Sequence, residues 1–211
     1  MPTLPFKFSG YTVWLSVSEP SYVREVMDVF QTSLSLSRIP EPHVTFLYGA
    51  KFGSDSEASE AFRNVATAVD GALGEGEEED RKLKPTGIIA DIDGLMEMTW
   101  AEISLKASNG LTALQSEAKD TFFGASTSAV VTDDENDSDE DSKAPNMWRP
   151  HLSLAYDTIS SSTGLTLDRV LTETGKRPGL VEERRITGMS LWDMHGLTVD
   201  EWRKVDEVMF E

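Results

Sequence analysis

The sequence predicts an α+β fold in which antiparallel strands form the sheets and helices pack on the outside. Strand-like and helix-like segments are mixed along the chain, without the strict alternation of a doubly wound parallel sheet. The glycine-rich phosphate loops of the Rossmann and Walker types are absent from the sequence. A seven-residue pattern occurs once in each half of the chain, which favours two lobes related by a pseudo-twofold.

The first half of the chain is predicted to contain two strands and two helices. Residues 10–18 are rich in valine and aromatic side chains, which is typical of a strand. A helix follows from residue 19 to about residue 37, because its apolar positions have the spacing of one helix face. A compact strand covers 43–49, and a second helix covers 54–73 before a run of glycines ends it.

The second half continues this mixture of elements. In chain order it contains strands at 85–93 and 98–107, a helix at 111–124, a strand at 149–157, a weaker helix at 164–175 and a strand at 183–194. Gly94 lies in a turn-like position between the first two of these strands. The final segment, 199–210, is predicted to be either a strand or a short helix.

The composition limits the class of protein. A chain of 211 residues can bury a core of its own, so residues 1–211 are predicted to form one bilobal domain. The absence of cysteine excludes disulfides, thiolate catalysis and cysteine-based zinc sites. No apolar run approaches the roughly 20 residues of a membrane helix, and the N-terminal sequence lacks the features of a signal peptide. We therefore expect a cytoplasmic monomer with no membrane partner.

The formal net charge of −18 makes a long nucleic acid an unfavourable partner, because an acidic surface repels polyanions. About a third of the acidic residues lie in two segments, 74–80 and 132–142. Both segments lack the apolar residues needed to order them, so they are predicted to be solvated or flexible loops. A small phosphate substrate remains compatible with the charge.

One internal similarity indicates where the chemistry lies. Residues 42–48 read PHVTFLY and residues 150–156 read PHLSLAY, so the same order of residue types recurs. Two of the three histidines, His43 and His151, lie in these copies, whereas His195 lies in a turn-like segment and is expected at the surface. With so few histidines, we predict neither a metal site nor a cofactor.

Each copy is predicted to be a strand, on which residues i and i+2 point to the same side. His43 therefore projects with Thr45, and His151 projects with Ser153. If the two strands meet at a groove, one imidazole can act as a base and the other as an acid, while the hydroxyls bind phosphate oxygens. This set suits metal-independent phosphodiester hydrolysis. The alternative is a duplicated structural strand whose histidines bond backbone groups.

The motifs EPHVTFLY and RPHLSLAY resemble those of the two-histidine phosphoesterase superfamily. This superfamily includes cyclic phosphodiesterases, 2′-5′ RNA ligase-like proteins and the exonuclease that trims U6 RNA. The motif style, the short chain and the closing segment SLWDMHGLTVDEWRKVDEV are similar to the cyclic phosphodiesterase branch of plants and fungi. The resemblance extends over residues 11–208, although only the two motifs are specific. The acidic segments and the lack of cysteine depart from plant members.

This resemblance implies two antiparallel sheets around a central cleft. It implies hydrolysis of ADP-ribose 1″,2″-cyclic phosphate, a by-product of tRNA splicing, to ADP-ribose 1″-phosphate, and opening of nucleoside 2′,3′-cyclic phosphates to 2′-phosphates. His43 and His151 would be the catalytic pair. Thr45 and Ser153 would bind the phosphate, and Tyr156 would contact the substrate. Plain strand geometry puts Tyr156 on the opposite face from Ser153, so the strand must end or bulge between them.

Two other functions stay open. One is a 2′-5′ phosphodiesterase or ligase-like activity on RNA ends, against which the acidic balance counts. The other is a non-catalytic nucleotide-binding module, which would not need both imidazoles. Beside the second motif, Trp148 is the best candidate for stacking on a base, and Arg149 either meets a phosphate or is a solvated side chain.

Overall fold

The structure is a computed structural model, and it describes residues 8–18, 20–34, 36, 39–93, 98–124, 148–158, 165–175, 180, 182–195 and 199–210. Within these ranges the elements follow in the order β1 (Tyr11–Val17), α1 (Pro20–Leu34), β2 (Val44–Ala50), α2 (Asp55–Glu75), β3 (Lys82–Asp93), β4 (Met98–Lys106), α3 (Asn109–Gly124), β5 (His151–Thr158), α4 (Leu167–Thr174), β6 (Arg184–Asp193) and β7 (Arg203–Met209). The predicted acidic loop at 132–142 lies outside the described residues.

The described strands pair in antiparallel fashion throughout. From one edge the order is β7, β6, β1, β2, β5, β4 and β3, and the first two residues of β3 return to pair with β6. At the centre, β2 and β5 meet through a single residue pair, Val44 with Leu152. The sheet therefore has two halves, β7–β6–β1–β2 and β5–β4–β3, that join where the two histidine motifs lie.

The predicted α+β class with antiparallel strands is confirmed. The two predicted sheets are joined into one, because the central pair and the contact between β3 and β6 connect the halves. Apart from the contacts of β7, the strand pairings are unchanged when β1, β2 and β3 are exchanged with β4, β5 and β6. A pseudo-twofold would produce this pattern, and the symmetry itself stays a prediction.

Helices pack on both halves of the sheet: α1 on β5, α4 on β3, α2 on β6 and β7, and α3 on β2. The longest, α2, begins at Ser54, whose hydroxyl caps the helix by accepting from the amide of Glu57. The carboxylate of Glu57 in turn accepts from the amide of Gly53, the residue before the cap. Its apolar residues recur at helical spacing, so it buries one stripe against the core: Ala58, Ala61, Phe62, Val65, Ala66, Val69 and Leu73. No helix in the described ranges is both long and apolar enough to cross a membrane.

Two segments differ from the sequence-based expectation. The acidic segment 74–80 contains helical structure instead of an irregular loop, because α2 continues into it and a 3-10 helix spans Glu78–Arg81. The side chain of Arg81 donates from Nε to the carbonyl of Leu73 at 2.9 Å, which ties this segment to α2. At the end of the chain, a short 3-10 helix precedes β7, so both alternatives for 199–210 are realised in sequence.

Candidate active site

The two histidine motifs occupy β2 and β5, where the halves of the sheet meet. The residue that follows each histidine forms the single pair between these strands, in antiparallel register. By that register His43 lies opposite Ser153, and Thr45 lies opposite His151. The structure thus brings together the four motif side chains that the sequence analysis identified, with each histidine next to the hydroxyl residue of the other copy.

His43 is a buried side chain. It is 2% exposed, and it stacks on Trp14 with ring centroids 3.4 Å apart and an interplanar angle of 6°. Its Nδ1 lies 2.7 Å from the carbonyl oxygen of Glu41, so Nδ1 is the donor and Nε2 carries the lone pair of the neutral ring. Burial lowers the pKa of His43 to about 3, against the opposing effect of that hydrogen bond, and a charge on His151 lowers it further. His43 is therefore neutral near pH 7.

His151 shares this hydrogen bond but has different surroundings. Its Nδ1 lies 3.1 Å from the carbonyl oxygen of Arg149, which again is two residues earlier in the chain. The side chain is 28% exposed, and its Nε2 lies 3.9 Å from a carboxylate oxygen of Glu102. A carboxylate at this distance attracts the positive charge of a protonated imidazole. The two histidines are thus equivalent in sequence pattern and different in electrostatic environment.

Glu102 of β4 is a site residue that the motifs did not reveal. It pairs with Ser153 across the strands and is 1% exposed. Its oxygens accept hydrogen bonds from Trp100 Nε1 at 3.1 Å, from Ser104 Oγ at 3.1 Å, and from both terminal nitrogens of Arg149 at 2.6 and 3.1 Å. The sequence does contain a signal for it. Glu102 is an acid in a largely apolar strand, and Trp100 and Ser104, two residues away on either side, can each donate a hydrogen bond to it.

A bulge places Tyr156 beside Ser153. The pairing of β4 with β5 shifts by one residue between Ala101 and Glu102, so Leu154 is the extra residue of β5. This turns Tyr156 to the face of Ser153, and its hydroxyl donates to Ser153 Oγ at 2.8 Å. The bulge that a substrate-contacting Tyr156 requires is therefore present.

The first copy has a bulge at the equivalent position. Val13 pairs with Leu47 and Trp14 pairs with Thr45, so Phe46 is the extra residue of β2. In both copies the extra residue comes three positions after the histidine. Together with the matching hydrogen bonds of the two Nδ1 atoms, these bulges show that the copies share local backbone structure as well as sequence.

A cavity of about 540 Å³ opens beside Thr45 and His151. Both halves of the sheet and α3 contribute to its wall, which includes Thr45, Tyr48, Gln115, Lys119, Trp148, Arg149 and His151. Trp148 is fixed there by a hydrogen bond from its Nε1 to the carbonyl of Thr45 at 3.0 Å. A second cavity, of about 620 Å³ at α2, contains no motif residue. Of the predicted site residues, Thr45 and His151 line the cavity beside the motifs, whereas His43 and Ser153 are buried next to it. This cavity is the candidate binding site, and its volume lies in the range typical of small-molecule sites.

Aromatic side chains connect the two halves near the motifs. Phe8 lies between Tyr48 of β2 and Tyr156 of β5, with ring centroids 6.5 and 5.7 Å away. Trp202, which precedes β7, contacts Phe8 at 4.7 Å and Trp14 at 5.7 Å. Because Phe8 contacts one tyrosine on each of these strands, aromatic packing helps to fix the relative positions of β2 and β5.

The third histidine lies outside this site. His195 is exposed, and its Nδ1 lies 2.7 Å from a carboxylate oxygen of Asp193. Within the part of the chain that the structure describes, no group of three or more His, Asp or Glu side chains is arranged to hold a metal ion.

No protein-family model matches the chain, and no curated protein matches it. Among solved structures, the chain is similar to the crystal structure of a phosphoesterase, with a TM-score of 0.49 and 11% identity over 95% of this chain and 99% of that one. Usb1 of Kluyveromyces marxianus gives a TM-score of 0.44 at 10% identity, covering 92% of this chain and 96% of Usb1. Usb1 with uridine monophosphate gives 0.43 at 10% identity, covering 92% and 97%. At such low similarity we draw no functional conclusion from them, and function is inferred below from the residues of the site.

Proposed function

We propose that the chain is a phosphodiesterase of the two-histidine type that hydrolyses small cyclic phosphates by acid–base catalysis at His43 and His151. The main support is the antiparallel register of β2 and β5, which sets each histidine opposite the hydroxyl residue of the other motif. A phosphate bound at this junction would meet two imidazoles and the hydroxyls of Thr45 and Ser153. These are the groups that phosphodiester hydrolysis requires for proton transfer and charge stabilisation.

The different surroundings of the histidines suggest their roles. His43 is the base, because its pKa of about 3 leaves its Nε2 lone pair available near pH 7. The negative charge of a bound phosphate would favour its protonation during the reaction. His151 is the acid, because it is the more exposed of the two imidazoles and lines the cavity where the leaving oxygen would lie.

In the proposed reaction, water attacks phosphorus in line with a ring oxygen of the cyclic phosphate. A bond forms between phosphorus and the water oxygen while the bond to the leaving ribose oxygen breaks. His43 accepts a proton from the water, and His151 donates a proton to the leaving oxygen. The product is a phosphomonoester with a free hydroxyl beside it, and exchange with solvent resets both histidines. No step in this scheme uses a metal.

Thr45 and Ser153 are proposed to hold the non-bridging oxygens of the phosphate. Because Tyr156 donates to Ser153 Oγ at 2.8 Å, the serine keeps its own proton for the substrate. Burial raises the pKa of Tyr156 to about 12, and the nearby charge of Glu102 acts in the same direction. Tyr156 is therefore a neutral donor at the pH of the reaction.

For the substrate, we propose ADP-ribose 1″,2″-cyclic phosphate and nucleoside 2′,3′-cyclic phosphates, as the motif resemblance implies. The cavity of about 540 Å³ supports a ligand of nucleotide size. The net charge of −18 supports a small substrate over a long nucleic acid. We further propose that the enzyme works as a cytoplasmic monomer without a cofactor.

Phosphorus NMR tests this function. The protein is incubated with EDTA and either ADP-ribose 1″,2″-cyclic phosphate or a 2′,3′-cyclic nucleotide, and the expected products are ADP-ribose 1″-phosphate and a 2′-phosphate. His43→Ala and His151→Ala should each lower turnover by about 10²- to 10⁴-fold, whereas His195→Ala, at the exposed third histidine, should retain it. Absence of turnover by the wild type, or turnover unchanged in the first two variants, would contradict the proposal. A 3′-phosphate product would indicate a different branch of the superfamily, and loss of activity in EDTA would rule out the metal-independent mechanism.

A further inference from the structure

On the basis of the proposed function, we infer that the cavity beside the motifs contains a subsite for a second phosphate group. Arg149 and Lys119 form this subsite, so the enzyme prefers cyclic phosphates that carry another phosphate on the 5′ side of the nucleoside. The reacting phosphate then lies at Thr45 and His151, and the second phosphate lies at the two cations.

Arg149 is held in place by a buried carboxylate. Its side chain is 58% exposed, and its two terminal nitrogens donate to Glu102 at 2.6 and 3.1 Å. Glu102 is 1% exposed and also accepts from Trp100 and Ser104, so both of its oxygens are fixed. A buried carboxylate is tolerated only when it is well paired, and here the pairing orients a guanidinium at the wall of the cavity. The remaining N–H groups of Arg149 are donors for a ligand.

Lys119 supplies a second cation from α3. The helix is attached to the site through Gln115, whose side-chain amide donates to the carbonyl of Phe46 at 3.0 Å. Phe46 is the bulge residue of β2, so the bulge provides the carbonyl that anchors the helix. Residues four apart share one helix face, and Lys119 accordingly lines the same cavity as Gln115.

The charge of this wall contrasts with the rest of the protein. Two cations line one cavity in a chain whose formal net charge is −18. The overall negative field repels long polyanions, whereas at this wall Lys119 adds a positive charge and the ion-paired Arg149 presents its remaining N–H donors to a small anionic ligand. Guanidinium groups bind phosphate through two parallel hydrogen bonds, and an ammonium adds a point charge. Trp148, fixed in the same wall, supplies an apolar surface for the ribose or the base.

The test compares two substrates that differ in one phosphate: adenosine 2′,3′-cyclic phosphate and its 5′-phosphorylated form. The ratio of their kcat/KM values is measured in the wild type, in Lys119→Gln and in the double variant Glu102→Gln with Arg149→Gln. The double variant avoids leaving a buried charge without its partner. Arg185→Gln is the matched control, because Arg185 is an exposed arginine that pairs with Glu78 at 3.2 Å and does not line the cavity.

We expect the 5′-phosphorylated substrate to be preferred about tenfold or more, which is typical of hydrogen bonds to a charged group. The preference should persist in Arg185→Gln, shrink in Lys119→Gln and approach one in the double variant. A ratio near one in the wild type, or a full preference in both cavity variants, would overturn the inference.

Binding separates this inference from the proposed function. Titration calorimetry with adenosine 2′,5′-bisphosphate and adenosine 2′-monophosphate measures the same preference without turnover. If neither substrate is hydrolysed but the bisphosphate binds about tenfold more tightly, the proposed reaction fails and the subsite stands. If adenosine 2′,3′-cyclic phosphate is hydrolysed and the two nucleotides bind equally tightly, the proposed reaction stands and the subsite fails.

Discussion

Acid should destabilise the folded protein through His43. The ordinary pKa of 6.5 is lowered to about 3 in the folded state, chiefly because the ring is buried. The folded protein therefore resists protonation of this ring while the unfolded chain accepts it. Unfolding takes up a proton between these two pKa values, so the free energy of unfolding falls as the pH falls through this window. Since one pKa unit corresponds to about 1.36 kcal/mol, lowering the pH from 7 to 5 should remove about 2 kcal/mol from the free energy of unfolding.

Urea unfolding of the wild type and of His43→Asn at pH 7 and pH 5 measures this effect. Asparagine can still donate to the carbonyl of Glu41, but it has no proton to gain. Carboxylates with lowered pKa values, such as Asp55, Asp193 and Asp206, also destabilise the fold in acid, and they cancel in the comparison because both proteins contain them. The wild type should lose about 2 kcal/mol more than the variant. Equal losses would refute the inference that His43 is held neutral by burial.

Three further substitutions test the site and the backbone. Tyr156→Phe removes the donor to Ser153 and should raise KM for a cyclic phosphate about tenfold, as expected for one hydrogen bond; an unchanged KM in steady-state assays would argue against a role in phosphate binding. Gly10→Ala should lower the free energy of unfolding by about 2 kcal/mol, because Gly10 has a φ of +76° and an added Cβ would lie 2.7 Å from the carbonyl oxygen of Ala50. Gly71→Ala in α2, where an added Cβ meets nothing within 4 Å, should instead stabilise the protein by about 0.5–1 kcal/mol. Equal stabilities of the Gly10→Ala and Gly71→Ala variants in thermal or urea unfolding would contradict this reasoning.

The histidine motifs could be predicted from sequence because their signals are local. A repeat of seven residue types and the period of a strand need no knowledge of the rest of the fold. The same reasoning showed that Tyr156 could join Ser153 only if the strand ended or bulged between them. It could not locate the extra residues, Phe46 and Leu154, because a bulge is defined by the register with a partner strand.

The asymmetry of the site could not be predicted, since the two copies are alike in sequence pattern. It arises from neighbours on other strands: Trp14 of β1 stacks on His43, and Glu102 of β4 lies beside His151. Such contacts depend on which strands are adjacent, and that information lies in long-range pairing. The joining of the two halves into one sheet could not be predicted for the same reason. The halves are joined by short pairings, of β2 with β5 and of β3 with β6, between segments that are distant in the sequence.

The end of the chain was ambiguous for a different physical reason. Among the described strands β7 pairs only with β6, and most of its residues are exposed or partly buried, so the alternation of a half-buried strand is weak there. The preceding 3-10 helix includes Val199, which is buried and adds an apolar residue at helical spacing to the pattern. Edge strands with few buried positions carry little periodic signal.

The central claim is that His43 acts as the base and His151 as the acid. It is tested most directly by comparing a 2′,3′-cyclic phosphate with its analogue in which sulfur replaces the leaving 3′ oxygen, because a thiolate leaves without protonation. With the oxygen substrate, each of His43→Ala and His151→Ala should lower kcat by about 10²- to 10⁴-fold. With the sulfur substrate, the loss of kcat in His151→Ala should largely disappear, whereas the loss in His43→Ala should be as large as with the oxygen substrate. A smaller loss of kcat in His43→Ala with the sulfur substrate, or an equal loss of kcat in His151→Ala with both substrates, would contradict the assignment.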